Sequence, residues 1–272
     1  MIWKKYGLIF KPDKSKEWMQ THAALPTPLF LKNEIYRVFF SSRDKYNYAN
    51  VGYFDFDIST KSIVNISDKP VLSPGKLGYF DGQGVQATSV IRKNSNVYLY
   101  YLGWQKGDPY PLFYTSIGLA ISKNNGESFQ KYSDVPIIDR SKYDPWMVSG
   151  GTVIKINNKF VMYYLSGQFM KISNKNIYSI YDIKIAESKD GINWNRKGTT
   201  ALSLNENETN ISRMSILKDK KMFVAWYPIK KVNKGYRFGY AESKDGLNWK
   251  RYDDSVGIDV SKTGWDSKSL DK

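Results

Sequence analysis

The sequence has 272 residues, a formal net charge of +15, no cysteine and one histidine. The lack of cysteine excludes a disulfide-stapled scaffold and thiolate chemistry, and a single histidine excludes a multi-histidine metal site. The lysines are scattered singly, which favours a solvated basic surface over a nucleic-acid-binding face. We therefore expect no metal, no cofactor and no nucleic-acid partner.

The N-terminal residues contain no apolar stretch of signal-peptide type, which would be about 7 to 15 residues long. No apolar run approaches the ~20 residues that a membrane-spanning helix needs. The sequence predicts a cytoplasmic protein without a membrane span.

A short pattern recurs four times along the chain. Each copy is an alternating strand, and three copies continue with Ser-Lys, then Asp or Asn with glycine, and then an aromatic residue. Glycine supplies the positive φ that tight hairpin turns require, so each of these copies predicts a hairpin. We expect Trp194 and Trp249 to pack between sheets. In chain order, the copies are VGYFDFD (51–57), IGLAISKNNGESF (117–129), IKIAESKDGINW (183–194) and FGYAESKDGLNW (238–249).

Two more strands precede each copy. The nearer one is rich in rings (IYRVFFSS, VYLYYLGW, FVMYYLSG and MFVAWYPI), and the farther one is short and apolar (TPLFLK, ATSVIRK, GGTVIKI and RMSILKD). The unit is therefore three or four antiparallel strands in roughly 60 residues, repeated at least four times. This organisation predicts an all-β fold of β-propeller type. A sandwich or barrel built from the same strands is the alternative.

A polar residue stands before the first strand of each predicted unit, at separations of 59, 63, 64 and 58 residues. In a propeller the first strand of each blade lines the axis, so these side chains would converge on one channel mouth. Single members of the set could instead be ordinary turn residues, because Asp bonds its own backbone well. The set is His22, Asp81, Asp144, Glu208 and Asp266.

These motifs resemble those of five-bladed propeller glycosidases related to glycoside hydrolase families 43 and 32, of the type found in bacterial surface-polysaccharide gene clusters. The resemblance covers nearly the whole chain. It is carried by SSRD (41–44), GYFDGQGV (78–85), YLYYLGW (98–104), IGLAISKNNGESF, PIIDR (136–140), the two AESKDG segments and GWDS (264–267).

The resemblance implies a five-bladed β-propeller in a single domain, residues 1–272, with the last blade incomplete. We expect the partial blade to comprise residues 261–272 and an N-terminal strand within residues 1–12. An open edge of this kind invites association, so a homo-oligomer is expected. The four complete blades are predicted at roughly 20–75, 76–140, 141–205 and 206–260.

The resemblance also implies catalysis by carboxyl groups at the channel mouth. An inverting glycosidase needs one carboxylic acid and one carboxylate. By blade order, Asp81 and Asp144 match the second- and third-blade acids of family 43, and Glu208 is the alternative proton donor. His22 stands where that family has its general-base aspartate, and a neutral imidazole can accept a proton near physiological pH. We place His22 and Asp266 among the substrate-binding residues.

Arginines and aromatic residues complete the predicted site. Arg43, Arg140 and Arg213 lie near predicted first strands or central loops, and their forked donors suit a carboxylate or phosphate. Structural pairing with nearby aspartates is the alternative. The residues predicted to stack on a sugar ring, or otherwise to belong to the core, are Trp104, Tyr110 and Trp146.

The sequence therefore predicts a carbohydrate-active enzyme that acts on glycosidic linkages in bacterial surface-polysaccharide metabolism. Hydrolysis, phosphorolysis and transfer stay open, and the substrate is a carbohydrate that is neutral, anionic or phosphorylated. The alternative function is a propeller that binds glycan or protein without catalysis.

Overall fold

A computed structural model describes residues 3–108, 113–173, 176–219 and 221–270. The prediction of an all-β chain is confirmed, because strands and one short 3-10 helix account for the regular structure of these residues. The chain forms two compact units. The N-terminal unit is Tyr6–Asp139, and the C-terminal unit is Met1–Lys5 together with Arg140–Lys272.

One sheet organises the N-terminal unit. Its strands follow the order β1-β2-β3-β5-β6-β7-β8, with β4 paired to β3. All neighbours are antiparallel except at a single parallel pair between Ala49 and Gly84, where two antiparallel repeats join. The strands are β1 (Thr21–Lys32), β2 (Ile35–Arg43), β3 (Ala49–Asp57), β4 (Ser62–Ile66), β5 (Gly84–Lys93), β6 (Asn96–Lys106), β7 (Phe113–Ser122) and β8 (Gln130–Lys131).

A second sheet organises the C-terminal unit in the same way. Its order is β17-β16-β15-β13-β11-β10-β9, with β12 on β11 and β14 on β15. A parallel pair between Tyr181 and Asn210 joins its two repeats. The strands are β9 (Met147–Ile156), β10 (Lys159–Ser173), β11 (Asn176–Ser188), β12 (Asn195–Leu202), β13 (Glu208–Ile211), β14 (Ser215–Asp219), β15 (Met222–Lys231), β16 (Arg237–Ser243) and β17 (Lys250–Arg251), and the 3-10 helix is Asp253–Ser255.

Each predicted blade range contains one of these repeats, which we number first (β1–β4), second (β5–β8), third (β9–β12) and fourth (β13–β17). The number of blades and their closure into a single domain stay predictions. The predicted N-terminal strand is wrong for the described residues 3–12, which form no strand. Gly7 has a φ of +89° and interrupts the extended backbone. Side chains attach the segment, with the Phe10 ring packed against Phe40 at 4.8 Å between ring centroids.

Serine and glycine build the predicted hairpin turns. Gly126, Gly191 and Gly246 have φ values of +84°, +75° and +75°. Each glycine N–H is bonded by a serine hydroxyl oxygen at the end of the preceding strand, at 2.8 to 2.9 Å. These contacts are local in sequence, which is why the motif repeats so faithfully.

Each unit has its own apolar core, built from alternate residues of the strands. Burial of these side chains stabilises the fold by about 25 cal/mol for each Å² removed from water. The N-terminal core includes Leu29, Phe39, Val51, Val85, Leu99, Tyr101 and Ala120. The C-terminal core includes Val161, Tyr163, Leu165, Ile183, Ile211, Ala225 and Tyr227, with the predicted packing residue Trp249 against it. Among the described residues, no helix is long and apolar enough to cross a membrane.

The first repeat also holds a buried ion pair. Arg37 donates to both carboxylate oxygens of Asp55 at 2.8 and 2.9 Å, and their side chains are 6% and 10% exposed. Asn65 is a further donor to Asp55 at 3.2 Å. The arginine thus neutralises a carboxylate that has little access to water.

We expect Arg37→Met to lower the free energy of unfolding by about 3 kcal/mol, because it leaves Asp55 charged and largely unpaired. Urea unfolding measures this change. Arg92→Met is the control, since Arg92 is exposed and its loss should cost less than about 0.5 kcal/mol. Equal effects of the two substitutions would contradict the assignment.

Candidate active site

Asp81, predicted as a catalytic acid, lies before β5 and is buried in an ion pair. Lys131 Nζ on β8 lies 2.6 Å from Asp81 Oδ2, and the Asp81 side chain is 1% exposed. The Tyr101 hydroxyl on β6 donates to the same oxygen at 3.0 Å. The contact ties the segment before the first strand of the repeat to its second and last strands.

Asp144, the second predicted acid, makes the corresponding contact in the third repeat. Arg196 on β12 donates to Asp144 Oδ2 at 2.8 Å, and the Ser141 hydroxyl donates to the same oxygen at 2.6 Å. The Tyr164 hydroxyl on β10 is 3.4 Å away. The Asp144 side chain is 0% exposed.

Glu208, the third predicted acid, is held in the fourth repeat. Arg251 on β17 donates to both Glu208 oxygens, at 2.9 and 2.7 Å. Arg251 also donates to Asp253 at 2.6 Å, and the Tyr227 hydroxyl on β15 donates to Asp253 at 2.8 Å. The Glu208 side chain is 3% exposed.

The three contacts form one recurring structure, which we call the acid–base clamp. It joins an acid at or just before the start of the first strand to a base on the last strand, beside a tyrosine on the second long strand. Burial, and then the neighbouring carboxylate, raises the pKa of each tyrosine, so the hydroxyls remain donors at neutral pH. The clamp accounts for the regular spacing of the acids. The catalytic roles predicted for Asp81, Asp144 and Glu208 stay predictions.

Asp266, predicted to bind substrate, is also held by other side chains. Lys5 Nζ lies 2.7 Å from Asp266 Oδ2, and the Ser261 hydroxyl donates to it at 2.8 Å. The hydrogen bond from Lys5 lowers the pKa of Asp266, which keeps this carboxylate ionised at neutral pH. Asp144, Glu208 and Asp266 therefore have separate basic partners within the C-terminal unit.

Three more predicted residues lie in the C-terminal unit. Arg140 is exposed at its start, whereas Arg213 is half-buried. Burial lowers the pKa of Arg213 to about 10, so its guanidinium is still charged at neutral pH. Trp146 packs on Gly167, where a Cβ atom would lie 2.8 Å from its ring. Tyr110 lies outside the described residues.

In the N-terminal unit, the predicted residues His22, Arg43 and Trp104 are brought together in what we call the His22 cluster. The Arg43 guanidinium lies over the Trp104 ring, 5.5 Å from its centroid. His22 is exposed on β1, beside the end of β2. Partial desolvation, and then the positive charge of Arg43, lowers the pKa of His22.

A second polar group, which the sequence interpretation missed, is centred on Asp182 in β11. Lys184 Nζ lies 3.0 Å from Asp182 Oδ1 and also donates to the Ser166 hydroxyl at 3.0 Å. Ser166 donates to Asp144 Oδ1 at 2.5 Å. We call these four residues the Asp182 cluster. They form a continuous chain of hydrogen bonds from buried Asp144 to Asp182, whose side chain is 17% exposed.

The surroundings of Asp182 shift its pKa in two opposite directions. Burial raises its pKa, against the opposing effect of Lys184. A raised pKa keeps a carboxyl protonated at higher pH than usual, which is a requirement for general acid catalysis. Its neighbour across the strands is Ser166, and Trp146 packs on the adjoining Gly167.

The aligned repeats show why the third one differs. At the position of Lys184, the others have Gly52, Gly118 and Gly239. A Cβ atom on Gly118 would lie 2.3 Å from the Tyr101 ring, so this glycine makes room for the clamp tyrosine. Lysine takes that place in the third repeat, and its amine reaches Ser166 and Asp182. This exchange of glycine for lysine was the sequence signal for the cluster.

Among the described residues, no group of three or more His, Cys, Asp or Glu side chains is arranged to hold a metal ion.

Comparison with solved structures defines the class of fold. A glycoside hydrolase matches with a TM-score of 0.72 and 16% identity, over 95% of this chain and 83% of that one. A thermostable family-43 glycoside hydrolase matches with a TM-score of 0.64 and 18% identity, over 89% and 74%. The predicted resemblance to propeller glycosidases is thereby confirmed at the level of fold.

Sequence comparison defines the family. The chain is 31% identical over 273 aligned residues to an uncharacterized protein of Mycobacterium tuberculosis, covering 100% of this chain and 89% of that protein. It belongs to the same family as that protein. A β-1,2-mannobiose phosphorylase of Thermoanaerobacter is 27% identical over 110 residues, which cover 38% of this chain and 36% of the phosphorylase. No protein-family model matches the chain.

The clamp predicts that Asp81 and Lys131 are coupled in stability. Asp81→Asn and Lys131→Met should each destabilise the protein, and the double variant should lose about 2 kcal/mol less than the sum of the two. The reason is that removal of either charge already breaks the pair. Urea unfolding of the wild type and three variants measures the coupling.

The matched control is the pair of Lys16 and Asp68, which lie 2.7 Å apart in the same unit with Asp68 87% exposed. Its coupling should be much smaller, because water and salt screen an exposed pair. Additive effects of the Asp81 and Lys131 substitutions would show that the clamp does not stabilise the repeat.

Proposed function

We propose that the protein is a carbohydrate-active enzyme that acts on glycosidic linkages, with Asp182 as the group that protonates the leaving oxygen. The observation that carries this proposal is the Asp182 carboxyl, which is largely buried, has a raised pKa and still reaches the surface. The glycosidase-like fold and the partial similarity to a mannobiose phosphorylase support the substrate class.

Cleavage of a glycosidic bond requires a proton for the departing oxygen. Protonated Asp182 supplies it, and activity that needs this proton falls as the pH rises through the raised pKa of Asp182. Lys184 stabilises the carboxylate that remains after transfer, because its ammonium lies 3.0 Å from Asp182 Oδ1. Asp144 and Ser166 act as positioning residues, since they hold Lys184 without themselves reaching solvent.

Trp146 is suited to stack on the sugar next to this group, because it packs on Gly167 beside the pair of Ser166 and Asp182. The acceptor of the glycosyl group is water, phosphate or a second sugar. We infer a role in bacterial surface-polysaccharide metabolism in the cytoplasm from the resemblance of the sequence motifs.

A non-catalytic glycan-binding propeller is the second candidate. The acid–base clamps favour it, because they engage all three acids that the sequence predicted for catalysis. Such a protein would bind glycans and turn none of them over.

Asp182→Asn tests the proton-donor role. On glycosides with sugar leaving groups, kcat/KM should fall by about 10²- to 10⁴-fold. On dinitrophenyl glycosides the loss should be much smaller, because that leaving group departs without a proton. The substrates are panels of glycosides, sugar nucleotides and mannose disaccharides, each with and without phosphate.

Asp254→Asn is the control, because Asp254 is exposed and lies outside the cluster. It should retain wild-type rates on every substrate. An equal loss on both leaving-group classes would contradict proton donation by Asp182, and glycan binding without turnover by the wild type would instead support the binding module.

A further inference from the structure

The His22 cluster contains a strained backbone. His22 and Leu25 have φ values of +66° and +56°, in the left-handed region that side chains with a Cβ atom rarely adopt. The pairing of β1 with β2 shifts register on either side of Ala24. Such bulges and strained residues redirect side chains and concentrate at functional sites. Here His22 lies at such an irregular point of the pairing between β1 and β2.

In the first repeat, His22 takes the place of the acid of the acid–base clamp. In the second, third and fourth repeats an acid at or just before the start of the first strand pairs with a base. The first repeat has His22 at that position, and the imidazole lies 2.9 Å from the neighbouring Thr21 hydroxyl. The entrance of the first repeat therefore presents a nitrogen base without the carboxylate that the other repeats carry.

Arg43 adds a positive charge that has no ion-pair partner among the described residues. Within the described parts of the chain, its hydrogen bond goes to the Asn47 side chain at 2.8 Å, and no Asp or Glu lies within ion-pair distance. Asp44, next in sequence, accepts the N–H groups of Tyr46 and Tyr48 at 2.9 Å. By contrast, Arg37 is fully paired with a carboxylate.

The Trp104 ring holds the guanidinium in place. Gly84 faces this ring across the strands, and a Cβ atom there would lie 1.9 Å from Trp104 Nε1. The absence of a side chain at Gly84 thus lets the indole lie flat beside β5, under Arg43. A planar guanidinium stacked on an aromatic ring keeps its donor edge available for a carboxylate or phosphate.

We propose that Arg43 and His22 form a binding site for a compact oxyanion, either the carboxylate of an acidic sugar or a phosphate group. The proposal goes beyond the proposed function and rests on residues other than the Asp182 cluster. β1, which carries His22, pairs with β2, and the charged residue at the facing end of β2 is Arg43. The loop after β2 adds two more charged residues, Asp44 and Lys45. Asp44 is engaged by backbone amides, and Lys45 lies over the Tyr46 ring.

The bound anion would act on His22 through simple electrostatics. Partial desolvation, and then the positive charge of Arg43, holds the pKa of His22 below its ordinary value of 6.5. An anion between the two side chains favours the imidazolium, so the pKa of His22 rises when the site is filled. His22 is the sole histidine of the chain, so its proton resonances report the site without interference from another imidazole.

The experiment is an NMR titration of His22 in the untagged full chain, with chloride, inorganic phosphate, glucuronate or glucose at matched ionic strength. Phosphate or glucuronate should raise the pKa of His22 by about one unit relative to chloride. Glucose should leave it unchanged. An effect of glucuronate alone selects the acidic sugar, and an effect of phosphate alone selects the phosphate group.

Arg43→Met should raise the pKa of His22 in chloride and abolish the response to the anion. Arg43→Lys keeps the charge and should respond more weakly than the wild type. Arg92→Met removes a distant exposed charge and should respond fully. The proposal is overturned if neither anion moves the pKa of His22 in the wild type, or if Arg92→Met loses the response as completely as Arg43→Met.

Discussion

In three of the four repeats, a buried acid at or just before the start of the first strand is paired with a base on the last strand. The base comes 43 to 52 residues after the acid in the chain, so this contact joins the two ends of the repeat. Burial of the acid makes the pair obligatory, because a lone charge away from water is far more costly than a neutral core. The tyrosine beside each pair extends the contact to the second strand, and the facing glycine in the second and fourth repeats follows from the space that this ring occupies.

The functional features lie where this pattern changes. The third repeat keeps its clamp but exchanges the glycine for Lys184, whose amine connects Ser166 with Asp182. In the first repeat, His22 occupies the place of the clamp acid, near the start of β1 on a strained, bulged backbone. At both places a residue that the other repeats share is replaced, and a side chain with a shifted pKa lies there: His22 in the first repeat and Asp182 in the third. The N-terminal unit thus has the His22 cluster and the C-terminal unit has the Asp182 cluster, and the other repeats do not share the side chains of His22, Asp182 and Lys184.

Much of the fold could be predicted from the sequence because its signals are local. The Ser-Lys-Asp-Gly turns bond within a few residues, and their spacing marks the repeats. Gly7 interrupts the segment that was predicted as an N-terminal strand. The spacing of the acids was visible, but their partners Lys131, Arg196 and Arg251 lie far along the chain, so the sequence could not separate a clamp from a catalytic ring. Asp182 was missed since its raised pKa arises from burial, which only the packed sheet defines.

The central proposal is that Asp182, whose pKa burial raises against the opposing effect of Lys184, donates the proton to the leaving oxygen. Carbon NMR of the protein labelled at its aspartate carboxyl groups measures this pKa directly, with Asp182→Asn assigning the resonance. The account predicts that this carboxyl titrates above the ordinary aspartate pKa of 3.8. In Lys184→Met it should titrate higher still, because loss of the cation favours the neutral acid. Titration of Asp182 at or below 3.8, or an unchanged value in Lys184→Met, would contradict the account.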